Sequence, residues 1–313
     1  MKMRVGVTGG TGFIGQYLIR DYGNQIDFVV PTQRKLYDEL QPKAEYIYTD
    51  YDKEGFKRVF SDCDAVVHLG GKVMHGMSYD INKDVVAYMN NIKMSDDVFC
   101  ACKELNIKNI INASSVAVYD QIDEIPVKET DPCQPNSVYG IMKITVEKLA
   151  ELYNRRYGLK IKSYRFAQGL GFQAKMDKTQ FWTILLKNSI EGKAIPLYGL
   201  GITGRDIIYV KDMTASIITG LGYPEISGCF NIGMEHICSN KEIAEAYCRT
   251  FDNKKGIAYL TDKQETGIRT CMNCEKAREI LKFTPQYDVI GLVQDIKEEY
   301  EKYIGSDKEM IYF

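Results

Sequence analysis

The sequence predicts an α/β fold built on a parallel, doubly wound sheet, and three observations carry that expectation. Strand-like and helix-like segments alternate through the first half of the chain. The run Ala65-Val66-Val67-His68-Leu69 is continuous enough to be a strand covered on both faces. The first strand-like segment runs directly into closely spaced glycines. Repeated β-α-β units of this kind imply parallel strands with helices on both sides.

Taken in order, Arg4–Thr8 is a short β-branched run and residues 12–22 carry apolar side chains at helical spacing. Residues 27–30 read as a second strand, residues 46–49 as a weaker third, and residues 65–69 as a fourth. A long helical stretch at 84–105 leads into a strand at 109–113. Residues 137–157 then read as helix and Lys160–Phe166 as strand. Beyond Phe166 the rhythm changes. Glycines cluster at Gly169, Gly171, Gly192, Gly199, Gly201 and Gly204, and helical patterns at Phe181–Ile190 and residues 212–221 are joined by irregular segments.

The chain has 313 residues, of which 45% are hydrophobic and 26% charged, an ordinary globular balance long enough to bury a substantial core. A formal net charge of −2 gives no electrostatic reason to expect nucleic acid or an anionic membrane as partner. No apolar run reaches the roughly 18 residues a membrane span needs. Met1-Lys2-Met3-Arg4-Val5 enters a strand and does not resemble a signal peptide, so a cytoplasmic protein is expected. Nine cysteines, odd in number and scattered, point to reduced thiols. Cys271-Met-Asn-Cys274 has the spacing of half a zinc site, but no second pair accompanies it and no metal is expected.

Chemistry enters with the glycines. Val5-Gly6-Val7-Thr8 leads into Gly9-Gly10-Thr11-Gly12-Phe13-Ile14-Gly15, with Gly9, Gly12 and Gly15 three apart. Glycine permits the tight turn, lets backbone approach a pyrophosphate and lets the helix sit close to the strand. The helix N-terminus offers free N–H groups to the phosphates. A Rossmann-type dinucleotide-binding domain over residues 1–166 is expected, with a segment near 205–222 returning to it. Residues 167–313 are expected to be mostly a smaller C-terminal α/β substrate lobe. After the second strand, Pro31-Thr32-Gln33-Arg34-Lys35 brings no acid until Asp38. An acid there would bind the ribose hydroxyls of NAD(H), whereas Arg34, with Lys35 and Thr32, can pair a 2′-phosphate. NADP(H) is therefore favoured, NAD(H) stays open, and solvated loop charges are the plain alternative.

Ser137-Val138-Tyr139-Gly140-Ile141-Met142-Lys143 opens a helix with Tyr139 and Lys143 at i and i+4, on one face. A free phenol is a poor base at neutral pH; a cation about 4 Å from a phenolate, at an effective dielectric near 20, is worth roughly 4 kcal/mol. Lys143 and a nicotinamide ring can thus poise Tyr139 to move a hydroxyl proton. Ala113-Ser114-Ser115 ends the preceding strand, where open α/β sheets build their sites.

With these motifs in this order the whole chain resembles the extended short-chain dehydrogenase/reductase family, in its nucleotide-sugar epimerase/dehydratase branch. The resemblance implies that Ser115 hydrogen-bonds the reacting oxygen, Tyr139 is the acid/base and Lys143 binds the nicotinamide ribose; Ser114 is the alternative serine. It implies an adenine contact at Thr49-Asp50-Tyr51, centred on Asp50, and a turn under the cofactor at His68-Leu69-Gly70-Gly71, where the family usually has alanines in place of the glycines. It also matches Asn90-Asn91 in the long helix and Asn231-Ile-Gly233 near the substrate lobe. Gly199-Leu-Gly201-Ile-Thr-Gly204-Arg205-Asp206 resembles the segment whose arginine binds the diphosphate of a nucleotide-sugar, a role that suits a guanidinium. A surface pair of Arg205 with Asp206 or Asp212 is the alternative. Phe166 and Gln168 depart from the family's residues at the nicotinamide and the substrate phosphate, and the serine segment lacks the Asp-Glu pair of the 4,6-dehydratases.

The resemblance implies a nucleotide-sugar epimerase that oxidises a sugar carbon and returns hydride to its other face. A nucleotide-4-keto-sugar reductase consuming NADPH shares the same residues, and a non-catalytic NADP(H)-binding sensor or scaffold is the alternative of another class. A homodimer formed by the two long helices is also implied, although their amphipathic spacing is equally explained by burial within one chain.

Overall fold

The computed structural model describes residues 2–33, 43–71, 81–119, 124–265, 267, 270–306 and 308–312. In chain order its elements are β1 (Arg4–Thr8), α1 (Phe13–Tyr22), β2 (Asp27–Thr32), β3 (Ala44–Tyr48), α2 (Lys53–Val59), β4 (Ala65–His68), α3 (Ile81–Glu104) and β5 (Asn109–Ser115). A 3₁₀ turn at Val116–Tyr119 precedes α4 (Val138–Tyr157), β6 (Lys160–Phe166), β7 (Gln168–Leu170), β8 (Lys175–Met176), α5 (Phe181–Ile190), β9 (Ile195–Tyr198) and β10 (Gly204–Tyr209). Then come α6 (Val210–Leu221), β11 (Gly228–Ile232), β12 (Ile237–Ser239), α7 (Asn240–Thr250), β13 (Ile257–Leu260), α8 (Glu275–Ile280), α9 (Val289–Ile304) and β14 (Ile311–Tyr312).

Two compact units divide these elements. The first holds residues 1–166, 213–232 and 273–284, and the second holds 167–212, 233–272 and 285–313. The chain thus returns to the first unit at 213–232 and again at 273–284, where a single return near 205–222 was expected.

A seven-stranded sheet, in the order β11-β6-β5-β4-β1-β2-β3, forms the first unit, and every pairing in it is parallel. The α/β, Rossmann-type expectation holds. Its central strands are largely buried, β4 at all four positions, because helices cover both faces. On one face Phe56, Phe60, Val66, Phe99, Ile110, Val146 and Ile161 form a continuous core with α2, α3 and α4. The short α2 escapes the sequence reading because Lys53–Val59 carries a glycine and few apolar residues; Asp52 starts it by accepting from the Gly55 N–H at 2.7 Å. The chain reverses direction across the sheet between β1 and β4, and ligands of such sheets bind beyond the strand ends at that switch point.

In the second unit β10 pairs β7 in parallel and β12 antiparallel, β9 pairs β13, and β8 pairs β14. Buried faces of α5, α7 and α9 supply its core, with Leu185, Leu186, Ile243, Tyr247, Leu292 and Val293. Among the described residues no helix is long and apolar enough to cross a membrane.

Candidate active site

The site starts at the end of β1. Gly9 has φ +72°, a left-handed conformation, and a Cβ on it would lie 2.8 Å from the Gly70 nitrogen. A Cβ on Gly15 would lie 2.4 Å from the Gly9 carbonyl, so α1 can dock this close only with glycine there. The N-cap of α1 is Gly12, which gives the first turn no side-chain cap. The helix N-terminus therefore keeps N–H groups and its positive dipole end for an anion. These features fit a dinucleotide pyrophosphate held by Gly9, Gly12, Phe13, Ile14 and Gly15, with Phe13 and Ile14 half-buried.

A buried relay fixes the neighbouring turn. The Gly70 N–H donates to Thr8 Oγ1 at 3.0 Å, and Thr8 Oγ1 lies 2.7 Å from His68 Nδ1. On the other side of the ring, His68 Nε2 lies 2.9 Å from Ser95 Oγ, which donates to the Asn91 carbonyl at 2.9 Å. Since the Ser95 hydrogen is spent on Asn91, His68 carries its proton on Nε2 and accepts from Thr8 through Nδ1. Burial, and then the charge of Lys143, push the His68 pKa down to about 3, so the ring is neutral. Leu69, Gly70 and Gly71 follow directly. A Cβ at Gly70 would come within 2.9 Å of Thr8 Oγ1, whereas one at Gly71 would make ordinary contact with the Asn91 amide. Asn91 is buried and Asn90 exposed, so Asn91 is the asparagine that reaches this turn. Sequence reasoning placed His68 in the turn under the cofactor but missed its partners Thr8 and Ser95; a histidine inside an otherwise apolar, doubly covered strand was the available signal.

Ser115, Tyr139 and Lys143 are linked through the end of β5 and the start of α4. Ser115 Oγ, half-buried at the end of β5, accepts from the Ala117 N–H at 3.2 Å. A Cβ on Gly140 would lie 2.4 Å from the Ala117 carbonyl, so α4 begins against the turn that follows Ser115. Ser137 caps that helix start, accepting from the Gly140 N–H at 3.1 Å. Lys143 Nζ donates to the Ala113 carbonyl at 2.6 Å and lies 5.5 Å from the Tyr139 ring centroid. Tyr88 of α3 packs on the phenol, with centroids 5.9 Å apart.

Ser114 points the other way. It is buried and donates to the Glu147 carboxylate. Glu147 also holds Arg165 by a fork, with Nε to Oε1 at 3.0 Å and Nη2 to Oε2 at 2.7 Å, both residues being 5% exposed. Arg165 continues to Tyr119 Oη, and Tyr119 donates to Asn231 Oδ1 at 3.0 Å. Burial opposes the guanidinium charge, but the hydrogen bonds and charge of Glu147 outweigh it and hold the Arg165 pKa above its ordinary value. Glu147 lies at i+8 from Tyr139 and i+4 from Lys143, on the same face of α4. That spacing was the signal that would have found it.

Phe166 is buried at the end of β6 and is the register partner of Ser115 on the adjacent strand. Asp50 and Tyr51 are exposed after β3; the Tyr51 hydroxyl donates to the Pro31 carbonyl at 3.4 Å and its ring stacks on Phe56. Thr32 ends β2 with its side chain buried, which takes it out of the basic loop. Arg34 and Lys35 lie outside the described residues.

In the second unit Gln168 is exposed on β7 and pairs with Ile207 of β10. Arg205 of β10 lies half-buried with its guanidinium carbon 5.9 Å from the Trp182 ring centroid. Burial alone pulls its pKa down, and no carboxylate among the described residues raises it. The alternative ion pairs with Asp206 and Asp212 do not form. Asp206 accepts from the Met234 and Met272 N–H groups at 2.9 and 3.1 Å, and Asp212 from Gln286 and Tyr287 at 2.9 and 3.1 Å. Cys271 and Cys274 fall in different compact units.

A model of the NAD dependent epimerase/dehydratase family matches residues 5–233. The UDP-glucose 4-epimerase of Lacticaseibacillus casei is 28% identical over 319 residues, covering 93% of this chain and 94% of that one. The dTDP-glucose 4,6-dehydratase 1 of Escherichia coli (strain K12) is 24% identical over 344 residues, covering 98% and 94%. The crystal structure of UDP-N-acetylglucosamine 4-epimerase from Bacillus cereus superposes with a TM-score of 0.84 at 28% identity, covering 95% of this chain and 96% of that one.

Proposed function

Since this chain belongs to the NAD-dependent epimerase/dehydratase family, we propose that it is a nucleotide-sugar epimerase, inverting a sugar carbon by transient oxidation and re-reduction. The observation that carries the reading is the convergence of Ser115, Tyr139 and Lys143 where β5 ends and α4 begins. Relatives that bear the name 4-epimerase favour carbon four as the reacting centre. A bound nicotinamide cofactor supplies the acceptance and return of hydride. Gly9, Gly12, Phe13, Ile14 and Gly15 hold its pyrophosphate; Asp50 and Tyr51 serve the adenosine; Leu69, Gly70, Gly71 and Phe166 line the nicotinamide half.

Tyr139 takes the sugar hydroxyl proton as the carbon is oxidised and gives it back to the same oxygen afterwards. Ser115 donates a hydrogen bond to that oxygen throughout. The Lys143 ammonium stabilises negative charge on the phenolic oxygen and binds the ribose. Arg205, a half-buried cation that no described carboxylate neutralises, takes the substrate diphosphate, with Gln168 beside the sugar-nucleotide. Elimination of water needs an added acid/base pair, and Ser115-Val116-Ala117 contains none, which separates this chain from the dehydratases.

A ketoreductase uses the same three residues, and the basic Arg34-Lys35 pair, with no acid before Asp38, favours it and NADP(H). One assay separates the readings. The protein is incubated with a panel of nucleotide-sugars while cofactor absorbance and product are followed. Isomer formation without net cofactor change is expected; stoichiometric NADPH loss with a keto-sugar establishes the reductase, and tight cofactor binding without turnover the sensor. Tyr139→Phe should lower kcat by about 10²- to 10⁴-fold while cofactor affinity stays within a few-fold. Exposed apolar side chains on α3 and α4, among them Val86 at 64%, Met89 at 62% and Ile141 at 55%, support a homodimer through these helices. Sedimentation at micromolar concentration tests it; a monomer refutes it.

A further inference from the structure

Three side chains of the second unit that the proposed chemistry does not use converge where β12 meets α7. His236 immediately precedes β12 and Cys238 lies within it, two residues further on. Glu242 comes from the first turn of α7, fixed there by Ser239, which accepts from its N–H at 3.0 Å. One ligand atom of each of the three residues lies within 4.8 Å of the others. The Glu242 carboxylate oxygens lie 3.0 and 3.3 Å from His236 Nε2.

Two ligand atoms each about 2.0–2.2 Å from a tetrahedral zinc ion sit roughly 3.3–3.5 Å apart, so the imidazole and carboxylate already hold ligand spacing. The thiol sulfur lies within 4.8 Å of both and would close to roughly 3.6 Å around the ion. We propose that His236, Cys238 and Glu242 form a divalent transition-metal site, with zinc as the ion that best suits it. Thiolate and imidazole donors exclude the all-oxygen preference of calcium and magnesium. Cys238 forms the buried floor of the site, while the side chains of His236 and Glu242 remain 54% and 40% exposed, which gives the ion a route from solvent and leaves its fourth position to water. On binding, the Cys238 thiol loses its proton to solvent and the hydrogen bond between His236 and Glu242 is replaced by two metal–ligand bonds. The ion ties β12 to α7; Cys238 is also the register partner of Arg205 across the β10–β12 ladder. A core thiol beneath a surface His–Glu pair is the plain alternative, and it predicts no metal–thiolate bond.

Cobalt distinguishes them. The full-length chain, stripped with a chelator, is titrated with Co²⁺ and then with Zn²⁺, with circular dichroism as the check on folding. One equivalent of Co²⁺ should bind with a near-ultraviolet thiolate-to-metal charge-transfer band and the strong visible absorption of four-coordinate cobalt, and Zn²⁺ should abolish both. Cys238→Ser should remove the charge-transfer band. His236→Ala, at an exposed position that tolerates truncation, should weaken Co²⁺ binding by about 10-fold or more, and Glu242→Gln likewise. Absence of the charge-transfer band overturns the site, as does a band that survives in Cys238→Ser, or an unchanged affinity in His236→Ala.

Discussion

Two adjacent serines show how one residue's place in a strand decides its part in the chemistry. Successive side chains of β5 face opposite ways, so Ser114 is buried and spent on Glu147 while Ser115 is half-buried beside the start of α4. Ser115→Ala is expected to lower kcat with little loss of stability. Ser114→Ala should leave the chemistry largely intact but cost about 1–3 kcal/mol, because a buried carboxylate loses a donor; paired kinetics and denaturant unfolding of the two variants check this. Arg205 is the other residue whose surroundings speak. A half-buried guanidinium that burial alone shifts is suited to an incoming anion. Arg205→Ala should raise the nucleotide-sugar KM by about 10- to 100-fold, the worth of charge-assisted hydrogen bonds. Arg205→Lys should recover only part of it, and an unchanged KM in Arg205→Ala would remove Arg205 from the substrate site.

At the scale of elements, α4 carries the site as a unit. Tyr139, Lys143 and Glu147 recur every four residues on one face, so the same helix presents the phenol, the ammonium and the buried anchor to Arg165. Removing one partner of a buried ion pair leaves an uncompensated charge, so Glu147→Ala should cost about 3–5 kcal/mol in denaturant unfolding. Restoring an apolar match with Glu147→Leu combined with Arg165→Met should cost less; equal losses would mean that packing, rather than the pair, holds this region. The junction of β1 and α1 is set by close approach. Gly15→Ala must push the helix away from the Gly9 carbonyl, which a Cβ would meet at 2.4 Å. Cofactor affinity, measured by fluorescence titration, is expected to fall more steeply than stability.

For the molecule as a whole, two buried groups bias stability in opposite senses as pH changes. His68 titrates near 3 instead of 6.5, so the unfolded chain takes up a proton below about pH 6.5 that the fold refuses, and stability from this group falls as pH drops toward 3. Burial raises the Asp206 carboxyl from 3.8 to about 7, despite its backbone N–H donors. The fold therefore keeps a proton that the unfolded chain releases, and stability from this group falls as pH rises from about 4 to 7. Each slope is about 1.4 kcal/mol per pH unit for one proton, and between about pH 4 and 6.5 they nearly cancel. His68→Gln should then lose stability with rising pH in that window, and Asp206→Asn should gain it, in denaturant midpoints taken at half-unit intervals. Identical slopes in both variants would contradict the assignment. The two groups sit in different compact units, so they report on separate cores.

The sequence by itself determined the parallel sheet, because the period and length of its apolar runs are local and doubly covered strands leave a continuous signature. It also determined the glycine cradle and the one-face pairing of Tyr139 with Lys143, since both are fixed by spacing along a single element. Tertiary structure alone decided the rest. Whether Ser114 or Ser115 is available depends on which face of β5 Glu147 approaches, and Glu147 is thirty-three residues away. Whether Arg205 is paired depends on Asp206 and Asp212 spending their carboxylates on N–H groups of distant segments. The His68 relay joins β1, β4 and α3, and the His236, Cys238 and Glu242 cluster needs a strand end and a helix start to turn toward each other. Propensity and periodicity act within a few residues, whereas burial and hydrogen-bond satisfaction are settled between segments that only folding brings into contact.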